Sequence, residues 1–124
     1  MHSDLQQYLA QAQWPEARRR RMVDGLRLLQ SIAIQGTAPI TYAEFAEAVQ
    51  PKLAPLASAA ILEDIGVFCN RADWPNVTCF VVSATTGDCS DGSTKISGEN
   101  PEKARDSAWF RYKVYKNAPL ADGP

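Results

Sequence analysis

Residues 41–50, TYAEFAEAVQ, and residues 55–70, PLASAAILEDIGVFCN, decide the fold of this 124-residue chain. Thr41 and Glu44 have the spacing of a capping box, in which the threonine oxygen accepts the Glu44 amide hydrogen and the Glu44 carboxylate reaches back. Apolar residues then recur at helical spacing in both stretches. The pattern predicts two short helices joined by a tight, proline-bracketed connection, which is the order of a helix-turn-helix.

The segment after the second helix predicts a β-hairpin. Residues 77–82 are rich in valine and have apolar side chains on both sides of a strand. Residues 86–98 are rich in Ser, Gly and Asp, as a mobile loop would be. A helix-turn-helix followed by a small hairpin wing, at residues 77–98, indicates an α+β, mainly helical winged-helix domain.

Extra helices flank this unit within one domain of residues 1–124. We expect an N-terminal helix in residues 1–14 and a long core helix in residues 15–36 that ends at Gly36. A cap at Asn100 favours a C-terminal helix over residues 100–117, although residues 109–116 also alternate as a strand does.

The composition limits the class of protein. Thirteen basic and fourteen acidic side chains give a net charge of −1, which argues mildly against a dedicated DNA-binding domain. The sequence has neither a membrane-length apolar run nor a signal-peptide pattern. We therefore expect a cytoplasmic protein of a bacterium or phage. The three widely spaced cysteines, Cys69, Cys79 and Cys89, are expected to be unpaired thiols.

The most basic run lies at the start of the core helix. Four consecutive side chains spread almost all the way round a helix, so they cannot form one flat patch. One interpretation is a contact with phosphates or an acidic partner, and the other is a solvated helix surface paired with local carboxylates such as Glu16 and Asp24. The run comprises Arg18, Arg19, Arg20 and Arg21.

The second helix of the predicted helix-turn-helix is poorly equipped to read DNA. Its first turns are rich in alanine and contain no arginine or asparagine for bidentate base recognition. Lys52 and Ser58 are the polar donors near its tip, and Glu63 and Asp64 would repel phosphates. Lys95, in the predicted wing, is a further candidate for a phosphate contact.

The chain resembles a group of small winged-helix domains. The resemblance lies in the stretch ITYAEFA at residues 40–46, a cysteine near the end of the next helix, the apolar strand at residues 80–82 and the Thr86-Gly87 turn. These domains occur in bacteria, phages and plasmids, and some are fused to nucleases. The same frame is similar to the DNA-binding part of alkylguanine-DNA alkyltransferases and alkyltransferase-like proteins. Cys79 lies one position from their acceptor cysteine, and the accompanying histidine and arginine are absent, which argues against alkyl transfer.

No constellation of residues predicts catalysis, and no cofactor or metal is expected. His2 is the only histidine, and the glycines form neither a P-loop nor a dinucleotide fingerprint.

The leading prediction is a non-enzymatic protein that binds DNA through phosphates with weak sequence specificity. The alternative is a protein-interaction module, such as an anti-CRISPR-like or anti-restriction inhibitor, or a surface that pairs two copies of the chain. The predicted contact residues are Arg18, Arg19, Arg20, Arg21, Lys52, Ser58 and Lys95.

Overall fold

A computed structural model describes residues 3–36, 38–49, 58–86, 112–114 and 116. These residues are mainly helical, with one small sheet, which confirms the mainly helical α+β class. The elements are α1 (Ser3–Ala12), α2 (Glu16–Gln35), β1 (Ile40–Thr41), α3 (Tyr42–Val49), α4 (Ser58–Arg71), a 3₁₀ helix (Val77–Phe80) and β2 (Val81–Val82). β1 and β2 pair in parallel, with Ile40 opposite Val81 and Thr41 opposite Val82.

The predicted capping box is present at the start of α3. The Thr41 amide donates to Glu44 Oε1 at 3.0 Å, and the Glu44 amide donates to Thr41 Oγ1 at 3.2 Å. Two amide hydrogens at the start of the helix are thereby satisfied by side chains. The same residues therefore end β1 and begin α3 without an intervening loop.

The end of α4 is set by a Schellman motif that has aspartate where glycine is usual. Asp73 adopts a left-handed φ of 56°, and the Trp74 amide donates to the Cys69 carbonyl at 2.8 Å. The ring of Trp74 packs edge-on against Phe68, with centroids 4.8 Å apart, which is the apolar contact that accompanies this motif. The chain leaves α4 in a fixed direction as a result.

Helix α2 is the central element of the core. Gly25 lies where side chains of α3 and α4 meet it: a Cβ atom at this position would lie 2.9 Å from Phe45 Cζ and 3.0 Å from Ile65 Cδ1. Phe45 and Ile65 are both fully buried. The missing side chain of Gly25 therefore allows both helices to pack against α2 at the same level.

The prediction of a strand at residues 77–80 is wrong. These residues form a 3₁₀ helix because the Asn76 side-chain oxygen accepts hydrogen bonds from the Thr78 amide, at 3.1 Å, and from its hydroxyl, at 2.6 Å. Such local bonds wind the chain into a turn in place of a ladder. Val81–Val82 is a strand as predicted, but it pairs in parallel with β1. The rest of the predicted hairpin, from residue 87, lies outside the described residues.

Part of the predicted C-terminal helix is described. Residues 112–114 and 116 have helical backbone, and Val114 is buried in the same core as α2. The described residues of this tract are therefore helical, as the cap at Asn100 predicts, and do not form a strand. The remainder of residues 100–117 lies outside the described part of the chain, as does the predicted turn between α3 and α4.

We predict that Gly25→Ala destabilises the protein. Alanine is the better helix former by about 0.8–1.0 kcal/mol, but overpacking a core typically costs about 1–3 kcal/mol, and both atoms that a Cβ would meet belong to buried side chains. The net loss in the free energy of unfolding should be about 1 kcal/mol, measured by urea denaturation.

Phe45→Leu provides the control, because it withdraws the closest ring atom. The cost of Gly25→Ala should be smaller in that background than in the wild type. A gain in stability from Gly25→Ala alone would show that the contact at Gly25 does not constrain the packing.

Candidate macromolecule-binding surface

Arg18 is committed to contacts within the protein. Its guanidinium makes a bidentate ion pair with Asp64 of α4, with Nη2 2.8 Å from Oδ1 and Nε 3.0 Å from Oδ2. The same group stacks 4.0 Å above the ring centroid of Trp14. Hydrogen bonding to Asp64 raises the pKa of Arg18 above its usual value. Arg18 therefore links α2 to α4.

The other three arginines of the run differ in their surroundings. Arg20 pairs with Glu16 one turn earlier, with Nη2 3.2 Å from Oε1, which is the local pairing that the solvated-surface interpretation predicts. Arg19 is exposed, whereas Arg21 is half-buried and has contacts of its own. The four arginines thus have different environments and do not form one basic patch, as expected for consecutive residues of one helix.

Of the predicted contact residues in the helix-turn-helix and the wing, Ser58 lies in the described part of the chain. Ser58 is the first residue of α4 and is 0% exposed, so its hydroxyl is not available to a phosphate or a base edge. Lys52 and Lys95 lie outside the described residues. Ser58 is therefore removed from the set of candidate contacts, because burial excludes it from direct recognition.

The solvent-facing sides of α3 and α4 carry mainly alanine and glutamate, with Arg71 exposed at the last position of α4. On α4, Ala59, Ala60 and Glu63 are exposed at helical spacing, and Asn70 continues the same side two turns later. We call these four residues the outer face of α4. On α3, the exposed residues are Ala43, Glu44, Glu47 and Ala48.

The carboxylate of Glu44 remains ionised under a wide range of conditions. Its hydrogen bonds with the backbone and side chain of Thr41 lower its pKa. The lowered pKa means that Glu44 stabilises the folded state. This stabilisation is fully present above the pKa that Glu44 has in the unfolded chain, and it is lost as the pH falls through the lower pKa of the folded state. The lowered pKa extends the acidic range over which Glu44 is charged, and at neutral pH its carboxylate is ionised on the exposed side of α3.

Cys69 and Cys79 are buried free thiols. Burial raises the pKa of Cys69 to about 12, against the opposing effect of a hydrogen bond from the Val77 backbone. A thiol in this state is a poor nucleophile, because the thiolate is the reactive form. Cys79, the residue nearest to the alkyl-acceptor position in the resemblance above, is 3% exposed and part of the apolar core.

Asp64 and Trp14 are the residues whose role the sequence did not indicate. The sequence predicts that Asp64 repels phosphates, and the structure places its carboxylate against Arg18, 46 residues away. Trp14 lies at the end of the predicted N-terminal helix, residues 1–14, where no contact is expected for it. It packs against Tyr8, with ring centroids 5.8 Å apart, as well as against Arg18. No short-range pattern in the sequence indicates the Arg18–Asp64 contact or the packing of Trp14.

Comparisons with protein-family models, with curated proteins and with solved structures find no match for this chain. The winged-helix resemblance therefore stays a prediction. Among the described residues, no helix combines the length and the apolar character needed to cross a membrane. In the same part of the chain, no group of three or more histidine, cysteine or acidic side chains is placed to hold a metal ion.

We predict that the Arg18–Asp64 pair contributes more to stability than the Arg20–Glu16 pair. The first is bidentate, and its side chains are 49% and 14% exposed, whereas those of the second are 68% and 83% exposed. Double-mutant cycles with alanine should give a coupling of about 0.5–1 kcal/mol for the first pair and no more than about 0.5 kcal/mol for the second. Equal couplings would contradict this assignment.

We predict that neither core thiol reacts in the folded protein. With a pKa of about 12, roughly one Cys69 thiol in ten thousand is ionised at about pH 8. In a Cys89→Ser variant, an aromatic disulfide reagent should titrate both remaining thiols in denaturant and react slowly without it. One fast equivalent under native conditions would indicate an accessible, activated cysteine.

Proposed function

We propose that this chain is a non-enzymatic binding protein, winged-helix-like in organisation, that binds a protein partner through the outer face of α4. One observation carries this proposal. The residues of α4 that reach solvent at its start are Ala59, Ala60 and Glu63, while the polar Ser58 is buried. A helix that reads DNA presents donors to base edges and phosphates at this position.

The electrostatics of α3 and of the first turns of α4 favour a basic partner, since the exposed cation of α4, Arg71, lies at the far end of the helix. Glu63 on α4 and Glu44 and Glu47 on α3 are exposed, and each would repel a phosphate backbone. Complementary charge steers encounter and suppresses wrong partners more than it adds affinity. A protein surface rich in lysine or arginine, such as one that itself binds nucleic acid, has the complementary charge.

DNA binding is the second candidate, and it is supported by a different surface. Arg19 and Arg27 of α2 are exposed, and contacts from such residues would be phosphate contacts with little sequence information. Arg18 and Arg20 contribute less to this candidate, because both are already paired with carboxylates. The two candidates therefore depend on different residues and can be separated.

Charge reversal on each surface tests the proposal. The first variant carries Ala60→Arg and Glu63→Lys on the outer face of α4, and the second carries Arg19→Glu and Arg27→Glu on α2. The probes are a lysine-rich peptide of about 20 residues and a duplex DNA of similar length, at about 50 mM salt, where weak electrostatic binding is detectable. A bacterial lysate passed over each immobilised protein supplies natural partners.

We expect the wild type to bind the peptide, the α4 variant to bind it several-fold more weakly, and the α2 variant to bind it at least as well as the wild type. A stoichiometric partner from the lysate should be retained by the α2 variant and lost by the α4 variant. The proposal is wrong if the wild type binds DNA at micromolar protein and the α2 variant loses that binding, while the α4 variant binds both the peptide and the DNA as well as the wild type does. Circular dichroism should show that both variants are folded, since all four positions are exposed.

A further inference from the structure

The connector between α1 and α2 is short and conformationally strained. It consists of Gln13, Trp14 and Pro15, between Ala12 and Glu16. Gln13 has a φ of 55°, in the left-handed region that residues with a Cβ atom rarely adopt. Its side chain is exposed, and its amide makes only a long hydrogen bond of 3.4 Å to the Leu9 carbonyl. No buried contact of its side chain compensates for this backbone conformation.

Helix α1 is attached to the rest of the core by one apolar side. Leu5 and Leu9 are fully buried, at 0% and 2% exposure. Tyr8, between them, packs on Phe68 of α4 with ring centroids 5.1 Å apart, and burial raises the pKa of this tyrosine. Isolated helices shorter than about 12–15 residues are marginal in water. The ten residues of α1 therefore require the surface that receives these side chains.

We propose that α1 exchanges between two copies of this chain, so that each copy docks its α1 on the other and the connector opens. Every contact of α1 with the core would be made equally in the closed monomer and in the exchanged dimer. These contacts therefore cancel, and the connector decides the balance. Opening it releases Gln13 from the left-handed conformation, and short connectors under strain favour exchange of this kind.

Contacts around Trp14 oppose opening and make the exchange slow. The indole contacts both Tyr8 of α1 and the Arg18 guanidinium of α2. A connector that extends must move Trp14 away from at least one of these groups. Exchange also requires Leu5 and Leu9 to leave the core transiently, which exposes apolar surface. Dimers should therefore form at high concentration over hours or after mild heating.

Substitutions at Gln13 test the proposal without disturbing the core. Glycine tolerates a positive φ, so Gln13→Gly relieves the closed connector. Isoleucine, being β-branched, tolerates it poorly, so Gln13→Ile increases the strain. Each dimer contains two connectors, and we expect the dimer dissociation constant to rise about tenfold for Gln13→Gly and to fall about tenfold for Gln13→Ile. Sedimentation equilibrium after incubation at high concentration measures these constants.

Asp73 provides a matched control, because it also has a left-handed φ, of 56°, but follows α4 and is not part of the connector. Asp73→Gly and Asp73→Ile should change the stability of the fold and leave the dissociation constant unaltered. The proposal is overturned if the Gln13→Ile protein is a monomer at about millimolar concentration. A monomer whose α1 is detached from the core and cleaved by protease also overturns it. It is overturned equally if dimers form with the same affinity whichever residue occupies position 13, since another face would then hold the dimer.

Discussion

The close contact of three helices at Gly25 is the constraint on which the rest of the structure depends. Phe45 from α3 and Ile65 from α4 both reach the α2 backbone there, within 3.0 Å of the position of an added Cβ atom. A side chain at this level would force Phe45 and Ile65 to shift, and there is little room for that because protein interiors are packed about as densely as organic crystals. The inner sides of α3 and α4 are therefore fixed against α2. Their remaining sides, which carry mainly alanine and glutamate and end with Arg71 on α4, face solvent.

The distribution of charge follows from this packing more than from the composition. A net charge of −1 conceals a basic α2, with exposed Arg19 and Arg27, and an acidic exposed side on α3. On α4, the exposed Glu63 lies near the start and the exposed Arg71 at the end. Near a surface, charges act over a Debye length of roughly 8–10 Å at physiological salt. A partner that contacts α4 therefore meets mainly the local carboxylates, such as Glu63, and the global charge says little about its nature.

Features with a local cause were predictable from the sequence, and those with a distant cause were not. The Thr41 capping box formed as expected because both of its members lie within one helical turn. Residues 77–80 were expected to be a strand because of their apolar content, but the Asn76 side chain winds them into a 3₁₀ helix. The burial of Ser58 and the pairing of Asp64 depend on residues far away in the sequence, so no periodicity in α4 could reveal them.

The contacts of Arg18 show why a basic run in a sequence is weak evidence for a phosphate site. To reach a phosphate, this guanidinium would give up two hydrogen bonds to Asp64 and its stacking on Trp14. It would also leave the carboxylate without its partner, only 14% exposed. Those losses offset the gain from a surface phosphate contact, since an unpaired, largely buried charge is costly. The same contacts join the α1–α2 connector to α4. Arg18 therefore has a structural role, and any external anion would have to compete with Asp64 for its guanidinium.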